Sequence, residues 1–309
     1  MTRAPYRSIC VPLDGSPFAE QALPLATEIA RRSGAILQVA LVHHPVPALA
    51  TALEVPEIEA QLDQEARARE QTYLDGIVER IRKGVNVPTT AALLDGPVAD
   101  ALETHVVRNA VDLVVITTHG RGTMSRFWLG SVADHLMRRL HVPILLVRPV
   151  AGTPPAPAVR RIMVTLDGSP FSERALDAAI ALGTPFGADY ALLMVVEPPV
   201  PLADPSGLVS VPIGPEAERQ LRESATRYLE GVAQRLCSEG KTVTTHPVQG
   251  VGVAATIIEQ AEKLGAGMIA IASHGAGGFE RLVLGSVADK VIRGSTRPTF
   301  VVRPPRESK

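Results

Sequence analysis

The feature that most constrains this 309-residue chain is an internal repeat. Ile9-Cys10-Val11-Pro12-Leu13-Asp14-Gly15-Ser16-Pro17-Phe18 returns as Ile162-Met163-Val164-Thr165-Leu166-Asp167-Gly168-Ser169-Pro170-Phe171, 153 positions on. His119-Gly120 through Leu129-Gly130-Ser131-Val132-Ala133-Asp134 returns as His274-Gly275 through Leu284-Gly285-Ser286-Val287-Ala288-Asp289, 155 positions on. The halves also close alike, Val142-Pro143-Ile144-Leu145-Leu146-Val147-Arg148-Pro149 matching Arg297-Pro298-Thr299-Phe300-Val301-Val302-Arg303-Pro304. A repeat held to within two residues predicts two copies of one fold. The expected domains are 1–149 and 159–309, with a proline-rich linker at 150–158.

Within the first half, apolar runs predict strands at 7–13, 35–42, 85–93, 112–117 and 143–148. Ser16-Pro17 predicts a helix start, Ser as cap and Pro at the first helical position. Ile58, Leu62, Ala66, Tyr73, Ile77 and Ile81 trace one stripe of a helix over 58–83. Gly96-Pro97 and Gly130-Ser131 open two more helices, and 43–57 reads as irregular. The second half repeats the order, with strands near 161–166, 188–195, 241–248, 267–272 and 299–303 and an irregular stretch around Pro198-Pro199-Val200-Pro201. Strands alternating with helices predict an α/β fold: two tandem, doubly wound, five-stranded parallel sheets. With strand order 3-2-1-4-5, the order reverses between strands one and four, where open parallel sheets bind ligands. The two best-repeated blocks follow those strands.

Composition narrows the function. A net charge of −1 supplies no broad basic field for nucleic acid. No apolar run approaches the ~20 residues of a membrane helix, and Met1 to Tyr6 contains no signal-peptide core. Cys10 and Cys237 read as buried free thiols of a reducing compartment, so a cytoplasmic location is expected. The last strands, 143–148 and 298–303, read as apolar sheet edges through which the halves pair; a homodimer is a further possibility.

The repeated loops suit an anion. Gly130-Ser131 and Gly285-Ser286 stand at helix starts, where main-chain amides and the dipole favour negative charge. Gly120 and Gly275 permit close backbone approach, and Arg126 and Arg281 recur nearby. Asp14 and Asp167 follow strand one; with Ser16 and Ser169 acting as caps, both aspartates are expected to face the cleft and meet a ribose. His119 and His274 read as structural more than catalytic, and His43-His44 has no counterpart and is not read as a metal site.

These residues resemble the universal stress protein family in its tandem form, over about 1–149 and 159–304. The family's ATP-binding members carry Gly, two residues, Gly, nine residues, then Gly-Ser or Gly-Thr. Here Gly120 and Gly130-Ser131 keep the second spacing, as do Gly275 and Gly285-Ser286. The resemblance implies a Rossmann-like fold holding ATP, with Mg²⁺ or Mn²⁺ on the phosphates. It implies that Asp14 and Asp167 sit near the adenosine, that Val42 and Val195 offer backbone to adenine, and that Ile116 and Ile271 line the pocket. Gly120, Gly130, Ser131 and Val132 would hold the triphosphate, as would Gly275, Gly285, Ser286 and Val287. The motif's first Gly is replaced by Thr117 and by Ala272. A β-branched Thr is the harsher change, which favours the second site.

Three functions compete. The first is an ATP-binding, stress-responsive module with slow or no hydrolysis, with cyclic AMP as a variant ligand. The second is an enzyme; neither a Gly-x-x-x-x-Gly-Lys-Ser/Thr loop nor a kinase catalytic loop appears in the sequence. The third is a nucleotide-free interaction protein.

Overall fold

The computed structural model describes residues 6–45, 56–118, 129–150, 152, 159–198, 202–203, 210–211, 215–274 and 284–303. It divides into two compact units, Met1–Pro157 and Ala158–Lys309.

The first unit orders its elements as β1 (Ser8–Leu13), α1 (Leu23–Ser33), β2 (Ile36–Val42), α2 (Pro56–Val85), β3 (Thr89–Leu94), α3 (Val98–Arg108), β4 (Leu113–Thr117), α4 (Ser131–Arg139) and β5 (Ile144–Val147). Its strands lie side by side as β3-β2-β1-β4-β5, and each pairing is parallel, with Val11 opposite Val39 and Ile9 opposite Leu113. Ile9, Cys10, Leu37, Leu113 and Leu145 are wholly buried. A parallel strand covered on both faces needs such an unbroken apolar run.

The second unit contains β6 (Arg161–Thr165), α5 (Pro170–Gly183), β7 (Asp189–Val196), the short β8 (Leu202–Ala203) and β9 (Ser210–Val211), α6 (Pro215–Ser238), β10 (Val243–Gln249), α7 (Val253–Lys263), β11 (Met268–Ala272), α8 (Ser286–Gly294) and β12 (Thr299–Val302). Its parallel order, β10-β7-β6-β11-β12, is again 3-2-1-4-5. The sequence missed the antiparallel pair of β8 with β9, because two-residue strands carry no periodicity.

Three expectations are corrected. In the first unit the helix after β1 does not run on from Ser16-Pro17. A 3-10 turn, Ala19–Ala22, precedes α1. Pro24 is the cause, since its nitrogen has no hydrogen for the carbonyl four residues back. Asp177 holds the matching place in the second unit, where α5 runs unbroken. Of the α2 stripe only Ile77 and Ile81 are buried, joined by Leu74 and Val78 beside it, and Ile58 is exposed. Cys10 is buried, but Cys237 is exposed. The core face of α6 runs through Ala225, Leu229, Val232 and Leu236. One residue further turns the side chain about 100° off that face.

The two cores also differ in shape. Where the first unit packs Ala30 and Leu37, the second has Gly183 and Tyr190. The Tyr190 hydroxyl donates to the Ile180 carbonyl at 3.1 Å. A Cβ on Gly183 would lie 2.5 Å from that hydroxyl and 2.8 Å from Ile162 Cδ1.

Candidate functional site

β6 and β11 end side by side where the strand order of the second unit reverses. A cleft of about 440 Å³ opens there, within the roughly 300–1,000 Å³ of small-molecule sites. Thr165, Leu166 and Asp167 form one wall, and Leu193 and Val195 of β7 lie beside them. Ile271, Ala272, Ser273 and His274 follow β11, α7 contributes Val253 and Ile257, and the start of α8 closes the mouth with Gly285, Ser286, Val287 and Ala288.

Gly285 caps α8 with φ −59° and ψ 144°, a conformation open to any residue, and no side chain caps the helix. What glycine supplies here is space, not a special backbone angle. Its amide donates to the Ser273 carbonyl at 2.8 Å, and a Cβ would stand 3.0 Å from that oxygen. The first bond of the helix runs from the Asp289 amide to the Gly285 carbonyl at 2.9 Å. The amides of Ser286, Val287 and Ala288 precede it and have no acceptor within the helix. They line the cleft with the dipole's positive end, which suits an anion. Among the described lining residues there is no lysine or arginine, so the described part of the cleft offers an anion main-chain amides and hydroxyls.

Opposite, β6 ends in an Asp-Gly-Ser turn. Gly168 takes φ 80°, the left-handed region in which a side chain is strained. Asp167 Oδ1 accepts the Ser169 amide at 2.9 Å, and Ser169 Oγ accepts the Ser172 amide at 3.2 Å. Ser172 Oγ accepts the Asp167 amide at 3.3 Å and donates to the Ser169 carbonyl at 2.9 Å. The first unit repeats the turn, with Gly15 at φ 79° and Asp14 Oδ1 taking the Ser16 amide at 2.9 Å. One oxygen of each carboxylate thus locks its own turn, and Asp167 at the same time lines the cleft.

Of the residues singled out in the second half, Asp167, Val195, Ile271, Ala272, His274, Gly285, Ser286 and Val287 all line this one cleft. His274 Nδ1 lies 2.9 Å from Ser273 Oγ. In the first half, Asp14 follows β1, Val42 ends β2, Ile116 and Thr117 end β4, and Gly130, Ser131 and Val132 open α4. Gly130 caps α4 at φ −58° and ψ 145°, and its amide meets the Thr118 carbonyl at 2.7 Å. His119, Gly120, Gly275, Arg126 and Arg281 lie outside the described residues.

Sequence reading missed several wall residues. Val253 and Ile257, four apart on α7, were legible only as a helix face, and Ser172 only as a residue three beyond a cap. It also missed Asp100, Glu103 and His135, whose ligand-type atoms lie within 4.8 Å of one another. Arg139 pairs with that Glu103 at 3.1 Å, and all four side chains reach solvent, so the group reads as a surface ion cluster.

The universal stress protein family model matches residues 5–148 and again 158–303. A universal stress protein of Mycobacterium tuberculosis (strain ATCC 25618 / H37Rv) is 30% identical over 97% of this chain and 96% of its own length. Universal stress protein YxiE of Bacillus subtilis is 31% identical over 46% of this chain and 98% of its own length, and so matches about one half. The crystal structure of a universal stress protein from Archaeoglobus fulgidus aligns with 98% of this chain and 99% of its own, with a TM-score of 0.71 and 18% identity.

Proposed function

Since the chain belongs to the universal stress protein family, two copies in tandem, we propose that it is an ATP-binding stress-response module. It holds the nucleotide and changes its affinity for a partner, with slow or no hydrolysis. The observation that supports this reading is the close stacking of Gly285 on Ser273, which brings three helix-start amides to the mouth of a cleft of about 440 Å³. The triphosphate lies at Gly285, Ser286 and Val287, and its Mg²⁺ or Mn²⁺ rides on the phosphates. Adenine reaches the Val195 backbone, with Asp167 towards the ribose and Ile271 and Ala272 beneath. Two features fit a polyanion: the space kept open at Gly285, and amides that α8 itself leaves without acceptors. The first unit holds a second, weaker site at Asp14, Val42, Ile116, Gly130, Ser131 and Val132. Thr117 replaces Ala272 there and adds two heavy atoms at a buried position. No helix among the described residues is long and apolar enough to cross a membrane; with two cysteines outside any disulfide, we place the protein in the cytoplasm.

Calorimetry with ATP and Mg²⁺ tests the proposal, and mass spectrometry of gently desalted protein shows what it carries. Binding at one strong and one weak site is expected. No heat at millimolar ATP would overturn the reading. Turnover above about one per second, in the range of ordinary enzymes, would make the protein an ATPase instead.

A further inference from the structure

His43, one residue past β2, sits buried between two carboxylates of α2. Its Nδ1 lies 2.6 Å from Glu70 Oε2, and its Nε2 lies 2.8 Å from Asp63 Oδ1. Its amide donates to the Leu94 carbonyl at 2.7 Å, so the main chain is fixed on the sheet while the ring reaches across to the helix. The surrounding charges belong to the same web. Arg67 donates to Asp63 at 3.0 Å and to Asp95, after β3, at 2.5 Å. His44 turns away, its Nδ1 3.1 Å from the Val42 carbonyl.

Both ring nitrogens face carboxylate oxygens, and only the imidazolium donates from both at once. Loss of one proton therefore points a lone pair at a carboxylate and breaks one of the two ties to α2. The counterparts in the second unit are Val196 for His43, Ala225 for Glu70, Glu218 for Asp63 and Gly250 for Asp95. Arg222, the counterpart of Arg67, meets among the described residues only the neutral Gln249 side chain, at 2.8 Å.

We propose that His43, Asp63 and Glu70 form a proton-operated latch, present in the first unit alone, that holds the N-terminal half of α2 to the end of β2. Burial pulls the His43 pKa down, but the hydrogen bonds to Glu70 and Asp63 outweigh it and the net shift is upward. The latch is thus fully closed below about pH 6.5, the ordinary histidine value, and weakens as pH rises towards the folded midpoint. Between those two values opening releases one proton, so the opening constant grows about tenfold per pH unit and levels off above the midpoint. Val42 adjoins His43, so the latch also bears on the first nucleotide site. That consequence rests on the proposed function; the latch itself does not.

Hydrogen exchange on the full chain without nucleotide tests it. Peptides within 58–70 are followed from pH 6 to 10, corrected for intrinsic exchange, with 216–228 of α6 as the internal reference. The His43 ring is titrated by NMR in the same samples. Protection within 58–70 is expected to fall about tenfold per pH unit between 6.5 and the His43 midpoint, while the reference stays level. His43→Gln is expected to remove the slope and leave protection low throughout. If that variant fails to fold, the half-buried Glu70→Gln serves; it is expected to lower the His43 midpoint by about one unit or more and to narrow the window. Level protection across the His43 titration, a His43 that keeps its proton up to pH 10, or an unmoved midpoint in Glu70→Gln would each overturn the latch. Exchange that follows the prediction with no ATP binding would leave the latch standing and remove only the nucleotide site.

Discussion

Gly285 donates its amide hydrogen to the carbonyl oxygen of Ser273 at 2.8 Å, and this bond sets the distance between the start of α8 and the end of β11. Gly130 repeats it on Thr118 at 2.7 Å. Gly285→Val puts a branched side chain where even a Cβ stands 3.0 Å from the Ser273 oxygen. The helix start must retreat. ATP affinity measured by calorimetry is expected to fall tenfold or more, about 1.4 kcal/mol. Unchanged affinity would refute the placement of the site in the second unit.

Gly183 and Tyr190 are a size-matched pair. Gly183→Ala drives a methyl into the buried hydroxyl of Tyr190 and into Ile162. A loss of about 1–3 kcal/mol is expected from overpacking. Tyr190→Leu made in the same chain restores the combination found at Ala30 and Leu37 and is expected to recover part of the loss. Urea melts of the two single variants and the double variant measure the coupling; strictly additive losses would mean that the two positions do not share the space.

Glu28 meets Arg31 at 2.8 Å and Arg32 at 2.5 Å on the same helix. The hydrogen bond from Arg31, the largest cause, holds its carboxyl down at about 2. Because the folded value lies below the unfolded one, the group stabilises the fold at pH above about 4.5 and loses that contribution as pH falls towards 2. Glu28→Gln is expected to be slightly less stable than wild type at neutral pH, by a few tenths of a kcal/mol for such helix pairs. The difference in urea midpoint is expected to vanish near pH 2, and a difference that persists there would contradict this assignment.

The two cysteines are expected to react very differently. Cys237 is exposed on α6, whereas Cys10 lies wholly inside β1 with its thiol pushed up to about 12 by burial. An aromatic disulfide reagent at pH 8 is expected to label one thiol in the native protein and two after unfolding. Two fast equivalents in the native state would mean that β1 is open to solvent.

Much of this architecture is legible in the amino-acid sequence. Parallel strands sheathed on both faces must be apolar along their length, so β1, β4 and their counterparts in the second unit, β6 and β11, stand out in the chain. The Gly-Ser pairs at Gly130 and Gly285 mark helix starts wherever they occur, and the repeat placed both at the reversal of strand order. What stayed hidden depends on contacts between residues far apart in sequence. The ring of His43 meets carboxylates 20 and 27 positions away, beyond the irregular 43–57. Cys237 follows the core residue Leu236, and one step around the helix separates core from solvent. Asp14 and Asp167 look available because a sequence does not show that an Asx turn has already taken one oxygen.

The glycine beneath Tyr190 has a consequence for how the chain finds its shape. Tandem copies of similar sequence risk exchanging strands as they collapse, so that one copy's strand settles in its sister's sheet. A tyrosine strand arriving over Ala30 would collide with a methyl group, and a leucine strand over Gly183 would leave a hole. This one pair therefore biases each copy towards its own strand, by the same order of about 1–3 kcal/mol that overpacking costs in a core.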